Sequence, residues 1–295
     1  MSDPKQNCQN CGSELNGEYC STCGQHAIDL RVPLKELVKE LGDELLSFDS
    51  RLIHSFIPFL LKPGHLALEY ISGKRTRYIS PFKLYFFTSF VFFFVMALLR
   101  EPIQIHPRSA VANTDSLLIA TGSDTIFVGG TKGGLKLYTT KKDSTWMTQK
   151  LGHRFAAGVL KLQADPQAFR EKLYEHIPQI IFALLPMFAL LLKLVYVRSK
   201  AFYIQHIVFA FYFHSFIFSV LIFIRLLNWT TGNLLSGYAD LLVFAIPVNL
   251  YFGMRRVYRQ SRLKTLLKFS FLGLSYGVLL IVAGLAALYV VILFL

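Results

Sequence analysis

Residues 82–99 read FKLYFFTSFVFFFVMALL, eighteen residues with one charge, Lys83, near the leading end and seven phenylalanines. A helix rises about 1.5 Å per residue, so this stretch is about 27 Å long, close to the hydrocarbon thickness of a bilayer. It is too uniformly apolar for the half-buried face of a soluble helix. Pro81 suits the first turn of a helix, where a missing N–H costs nothing, and Arg100-Glu101-Pro102 ends the run. Residues 81–100 are therefore a first membrane span.

Four further apolar runs follow at about 178–197, 205–227, 238–254 and 269–294, each near the length a span requires. The composition agrees, with 53% hydrophobic and 17% charged residues, where soluble chains carry about a quarter charged. The fold class this implies is mostly α: a polytopic membrane helical bundle of about five spans. The least secure span is 238–254, which begins near Asp240 and contains Pro247 and Asn249. No internal repeat of the kind that marks many transporters is apparent.

The net charge of +13 fits either nucleic acid or the anionic inner face of a membrane, and position decides for the membrane. Lys74, Arg75, Arg77 and Lys83 flank the first run, and Arg255, Arg256, Arg259, Arg262, Lys264 and Lys268 precede the last. Lys74, Arg75, Arg77, Arg255, Arg256 and Arg259 are accordingly candidate contacts to anionic lipid headgroups. The turn at 198–200 is basic, the turn at 228–237 has no charged residue, and the turn at 255–268 holds six cations and no acid. The positive-inside rule then puts the N-terminus inside, residues 101–177 outside and the C-terminus outside. No basic stretch followed by an apolar core opens the chain, so the first span is expected to direct insertion.

All four cysteines lie in the first 23 residues, as Cys8-Gln9-Asn10-Cys11-Gly12 and Cys20-Ser21-Thr22-Cys23-Gly24. Two thiolates three residues apart in a tight turn can face one ion, the following glycine permits a positive φ, and two such turns complete a tetrahedral site. The pattern predicts a zinc ribbon over residues 1–26, with structural Zn2+ held by Cys8, Cys11, Cys20 and Cys23. Four cysteine ligands leave no open position for catalysis. Residues 1–25 carry one lysine, Lys5, against Asp3, Glu14 and Glu18, so nucleic acid is disfavoured and a cytosolic protein partner is the better expectation. His26 reads as a surface residue.

Between ribbon and first span, residues 27–80 hold an amphipathic helix at 33–48, a ten-residue apolar segment at 52–61 too short to cross, and the breaker Lys62-Pro63-Gly64. Residues 101–177 form the extracytoplasmic region. Strand-like runs Ser116-to-Ala120, Thr125-to-Val128 and Leu135-to-Thr139 predict β hairpins there, followed by helices at 151–163 and 166–176. Residues 178–295 carry spans two to five.

The third span contains His206 and His214, the candidate functional residues at membrane depth, together with Gln205 and Arg225. The two histidines lie about 12 Å apart along the helix axis, so no ion bridges them directly. The plainer reading places His206 at the interface, bonds His214 to a neighbouring helix and lets Arg225 reach the headgroups. No catalytic motif occurs, and Gly129-to-Gly134 has the composition of a phosphate loop without its spacing.

Lys62-Pro63-Gly64, Glu69-to-Arg75, Tyr78 and Pro81-to-Leu84 follow the ribbon in order, and Glu175-to-Pro178, Tyr203-to-Phe209 and His214-Ser215-Phe216 come later. In this motif order the chain resembles an uncharacterised bacterial family, common in Bacteroidetes, that joins a C-x-x-C-G ribbon to a multi-span domain. The resemblance covers about residues 8–90 and 174–220 and implies an inner-membrane location and no established activity. A looser likeness in architecture is to the Yip family, with a cytosolic N-terminus and five spans. The expectation is an interaction, regulatory or scaffold protein, with the alternative of a small-solute, proton or ion transporter near the third span. An enzymatic role has no residue set behind it, and the oligomeric state is not legible.

Overall fold

The computed structural model describes residues 7–15, 17–26, 51–99, 126–127, 136–137, 166–232 and 234–294. The expected helices at 33–48 and 151–163 and the run Ser116-to-Ala120 lie outside the described residues. Helices α1 (Arg51–Leu61) and α2 (His65–Ile71) flank the Lys62-Pro63-Gly64 turn, and α3 (Pro81–Leu98) starts with Pro81 in its first turn. Strands β1 (Ile126–Phe127) and β2 (Lys136–Leu137) pair antiparallel, Ile126 opposite Leu137. Then come α4 (Pro166–Val195), α5 (Tyr203–Thr230), α6 (Ser236–Asp240), a 3-10 turn (Leu241–Phe244), α7 (Ala245–Tyr258) and α8 (Arg262–Phe294).

Among the described residues, five helical stretches are long and apolar enough to cross a membrane: Pro81–Leu98, Glu171–Val195, Tyr203–Thr230, Ser236–Tyr258 and Arg262–Ile292. The chain is thus a polytopic helical bundle. The fourth stretch, built from α6, the 3-10 turn and α7, is the one whose sequence is least uniformly apolar, and its backbone tightens at Leu241–Phe244. The expected break before Pro178 is absent, since α4 runs unbroken from Pro166 to Val195. Proline removes one backbone donor, a loss that membrane helices tolerate where neighbours or small adjustments satisfy the freed carbonyl.

The chain divides into two compact units, Met1–Arg100 with Phe182–Val278, and Glu101–Ile181 with Leu279–Leu295. The second unit contains the β1–β2 hairpin, the first part of α4 and the last turns of α8. In α4 there, His176 Nδ1 lies 2.9 Å from the Lys172 carbonyl.

The first unit is built around α5, whose most apolar 18-residue stretch is 67% buried, against 17–28% for the corresponding stretches of the other four spans. Its aromatic rows explain why. Phe82 and Tyr85 of α3 meet Phe211 edge-on, Phe92 meets Phe218, Phe188 of α4 stacks on Phe213 at 5.4 Å, and Phe59 of α1 meets Phe216. Aromatic pairs of this kind add about 0.5–1.5 kcal/mol each beyond their area.

Side chains also satisfy backbone groups where helices begin and end. The Ile79 N–H donates to Ser55 Oγ at 3.0 Å, and the Ile79 carbonyl accepts from Tyr212 at 2.7 Å. At the far end of α3, Arg225 donates to the Leu99 carbonyl at 2.7 Å. In lipid such groups have no water to turn to, so each bond fixes a helix terminus. The α1–α2 turn is pressed against α7: a Cβ at Gly64 would lie 2.8 Å from Gly253 Cα. Arg256 donates to the Pro63 carbonyl at 2.7 Å beside this contact.

Candidate metal centre

The two cysteine knuckles repeat each other at an offset of twelve residues. Cys8 N–H donates to the Ser13 carbonyl and Gly12 N–H to the Cys8 carbonyl, both at 2.8 Å; Cys20, Gln25 and Gly24 make the same pair of bonds at the same lengths. Gly12 and Gly24 both have positive φ, 82° and 70°, which turns the chain back so that a third residue can bond to the knuckle. Antiparallel bridges Asn7–Glu14 and Tyr19–His26 close both turns.

This local geometry brings the four thiols together, their sulfurs all within 4.8 Å of one another. Cys8 lies 3.6 Å from Cys23, and Cys11 lies 3.6 Å from Cys20, so each contact joins the two knuckles. The site can hold a metal ion. Its surroundings favour the thiolate at Cys23 and Cys11 but not at Cys8, where the backbone N–H of Cys11 is outweighed by burial and the neighbouring Cys23 and Cys11 side chains, which push the thiol up to about 11. The Asn10 side chain, donating to Cys23, brings that thiol down to about 6, and the Ser13 hydroxyl, 3.3 Å from Cys11, lowers that one. His26 stands outside the cluster, its ring edge-on to Tyr19 at 4.5 Å.

The ribbon sits on the loop that follows α2. Gln25, 7% exposed, donates from Nε2 to the Gly73 carbonyl at 2.7 Å and accepts at Oε1 from the Arg75 N–H at 3.1 Å. From the first knuckle, Gln9 lies over Gly73 so closely that a Cβ there would run into Gln9 Oε1. The bonds at Gln25 join residues 48 and 50 positions apart.

The same loop carries the first group of cations. Lys74 pairs with Glu69 at 3.0 Å and Arg77 with the same carboxylate at 3.7 Å, while Arg75 lies over the Tyr70 ring and Arg77 over Tyr78. Arg256 is held to Pro63, and Arg255 and Arg259 close α7, where Arg259 takes a left-handed backbone.

His206 and His214 are both buried in α5 and turn to different helices. His206 Nδ1 shares a 2.7 Å hydrogen bond with Tyr258, whose ring stacks on Tyr196 at 3.7 Å, and Lys268 Nζ stands 4.0 Å from the Tyr196 centroid. His206 Nε2 has no hydrogen-bond partner among the described residues. His214 Nδ1 donates to the Ala210 carbonyl at 2.8 Å, which leaves Nε2 to accept from Tyr276 at 2.9 Å. Among the described residues no hydrogen bond joins the two histidines. A small cleft between α1, α2, α5 and α7, lined by residues including His65, Tyr212 and Asn249, has about 20 Å³ of room, enough for one water.

Sequence reasoning missed Gln25, Tyr258 and Tyr276. The twelve-residue offset was the available signal for Gln25, which stands where the first knuckle has Ser13. For the tyrosines no local signal exists, because the pairings span 52 and 62 residues.

Residues 49–93 match the model of a family described as a protein of unknown function (DUF3667). That stretch holds α1, α2, the basic loop and most of α3, and leaves the cysteine knuckles outside it. No curated protein and no solved structure matches the chain.

Proposed function

We propose that this chain is a membrane-anchored interaction or regulatory protein whose N-terminal ribbon holds a structural zinc ion and serves as a docking element. The observation that carries this reading is the closed four-sulfur cluster. Zinc bound to thiolates at about 2.3 Å requires sulfurs about 3.8 Å apart, and the two cross-knuckle separations are both 3.6 Å. A full shell of four thiolates supplies folding energy to a domain too small for a core of its own. It offers no site for a substrate, which favours a scaffold over an enzyme.

The positive-inside pattern supports a ribbon and N-terminus in the cytoplasm and a C-terminus on the far side, and the resemblance to a bacterial family implies that the membrane is the inner one and the far side the periplasm. Cations not already satisfied within the protein would meet anionic headgroups. The test compares wild type with Cys8→Ser/Cys11→Ser at equal membrane abundance. Ribbon-dependent capture of a cytosolic protein supports the reading, and identical captures from both refute it.

A pathway near α5 for protons or small solutes is the second reading, favoured by the buried, unpartnered His206 Nε2. Flux through purified protein in liposomes, abolished by His206→Leu, would support it. Silence across protons, metal ions and small solutes sinks it.

A further inference from the structure

Gln25 is tied to the metal cluster at its backbone and to the membrane-proximal loop at its side chain. Its carbonyl accepts from Cys20 at 2.8 Å and its N–H donates to the Cys23 sulfur. Its amide meanwhile spans the Gly73 carbonyl and the Arg75 N–H, using one donor and one acceptor as a neighbouring strand would. The first knuckle has the same backbone bonds but ends in Ser13, which turns to Cys11 instead. Of these two matching positions, only Gln25 therefore hydrogen-bonds to the loop. Gln9 of the first knuckle completes the contact over Gly73, where a side chain would not fit.

We infer that the ribbon is a metal-dependent latch in cis: with the ion bound, Gln25 and Gln9 hold the ribbon on the Gly73–Arg75 backbone, and loss of the ion releases both surfaces. Without a metal the knuckles lose the constraint that positions Gln25, because a domain of about 20 residues has no hydrophobic core to replace it. The segment released carries Lys74 and Arg75, both half-buried with the ribbon in place, so metal occupancy controls access to these two cations as well as to the ribbon face, while Arg77 is exposed in either state. This rests on the zinc reading above, which makes the ribbon a docking element, and it names the first partner of that element as the chain's own loop.

Hydrogen exchange of the full-length protein in nanodiscs tests it, following the peptide that covers residues 72–78, with zinc content measured on the same samples under reductant. Zinc-loaded wild type is expected to protect this peptide, and removal of zinc by a chelator to raise exchange at the Arg75 N–H about tenfold, through loss of the buried bond to Gly73 and the part-buried bond from Arg75. Gln25→Ala keeps all four thiols and should bind zinc at the wild-type ratio while showing the same faster exchange. Unchanged exchange on chelation overturns the metal dependence, and unchanged exchange in zinc-loaded Gln25→Ala overturns the docking itself. Wild type that holds no zinc refutes the metal centre and the metal dependence together, and the Gln25→Ala comparison then still decides the docking.

Discussion

Gly64→Ala should be the most damaging single-methyl change in the bundle, because it meets two penalties at once. Gly64 has φ 69°, and an added Cβ would lie 2.8 Å from Gly253 Cα and 2.9 Å from the Gly253 carbonyl oxygen. A left-handed backbone costs an L-residue about 1–2 kcal/mol, and a methyl forced into packed backbone costs about 1–3 kcal/mol. The sum is about 2–5 kcal/mol, and at about 2–4 °C per kcal/mol it lowers the unfolding temperature by about 4–20 °C. Two controls separate the terms. Gly232 has φ 58° and open space around it, so Gly232→Ala carries the backbone term alone, about 2–8 °C. Gly253→Ala meets the edge of the Phe209 ring at 3.1 Å with no positive φ, so it carries only the lower part of the packing term. Thermal unfolding of the three variants in one detergent, followed by size exclusion, gives the order. If Gly64→Ala loses no more than Gly232→Ala, the α1–α2 turn is not packed on α7 and the architecture described for the first unit is wrong.

Two further outcomes follow from specific bonds. Asn10→Ala removes the donor that keeps the Cys23 thiol at about 6; its pKa then rises, protons compete with the ion at higher pH, and acid titration with a chromophoric chelator should release metal at higher pH than from wild type. A release curve unmoved by Asn10→Ala refutes the role given to that amide. His214→Leu, Tyr276→Phe and the double variant should show a coupling of about 0.6 kcal/mol, the usual size for a hydrogen bond between membrane helices. Additive losses would mean that the 2.9 Å bond between them contributes nothing.

The bundle was legible because hydropathy is a local property: FKLYFFTSFVFFFVMALL announces its own environment, and Pro81 announces where the helix begins. The knuckles were legible for a similar reason, since C-x-x-C-G encodes a turn and its ligands within five residues. Where the reading fell short, the deciding interaction was distant. The helix expected at 166–176 and the span expected from about 178 are one continuous helix to Val195. Gln25 is an unremarkable polar residue until Gly73 and Arg75 are brought to it. His214 reads as a lone imidazole until Tyr276 arrives from α8. Lys74 and Arg77 read as headgroup contacts by their position, and Glu69, five and eight residues earlier, takes part of their charge.

The measurement closest to the centre of this account is zinc-edge X-ray absorption of the protein extracted from membranes without added metal. Four sulfur neighbours at about 2.3 Å, at one zinc per chain, are the predicted result. A shell containing nitrogen or oxygen, or protein with its cysteines paired as disulfides and no zinc, would contradict it.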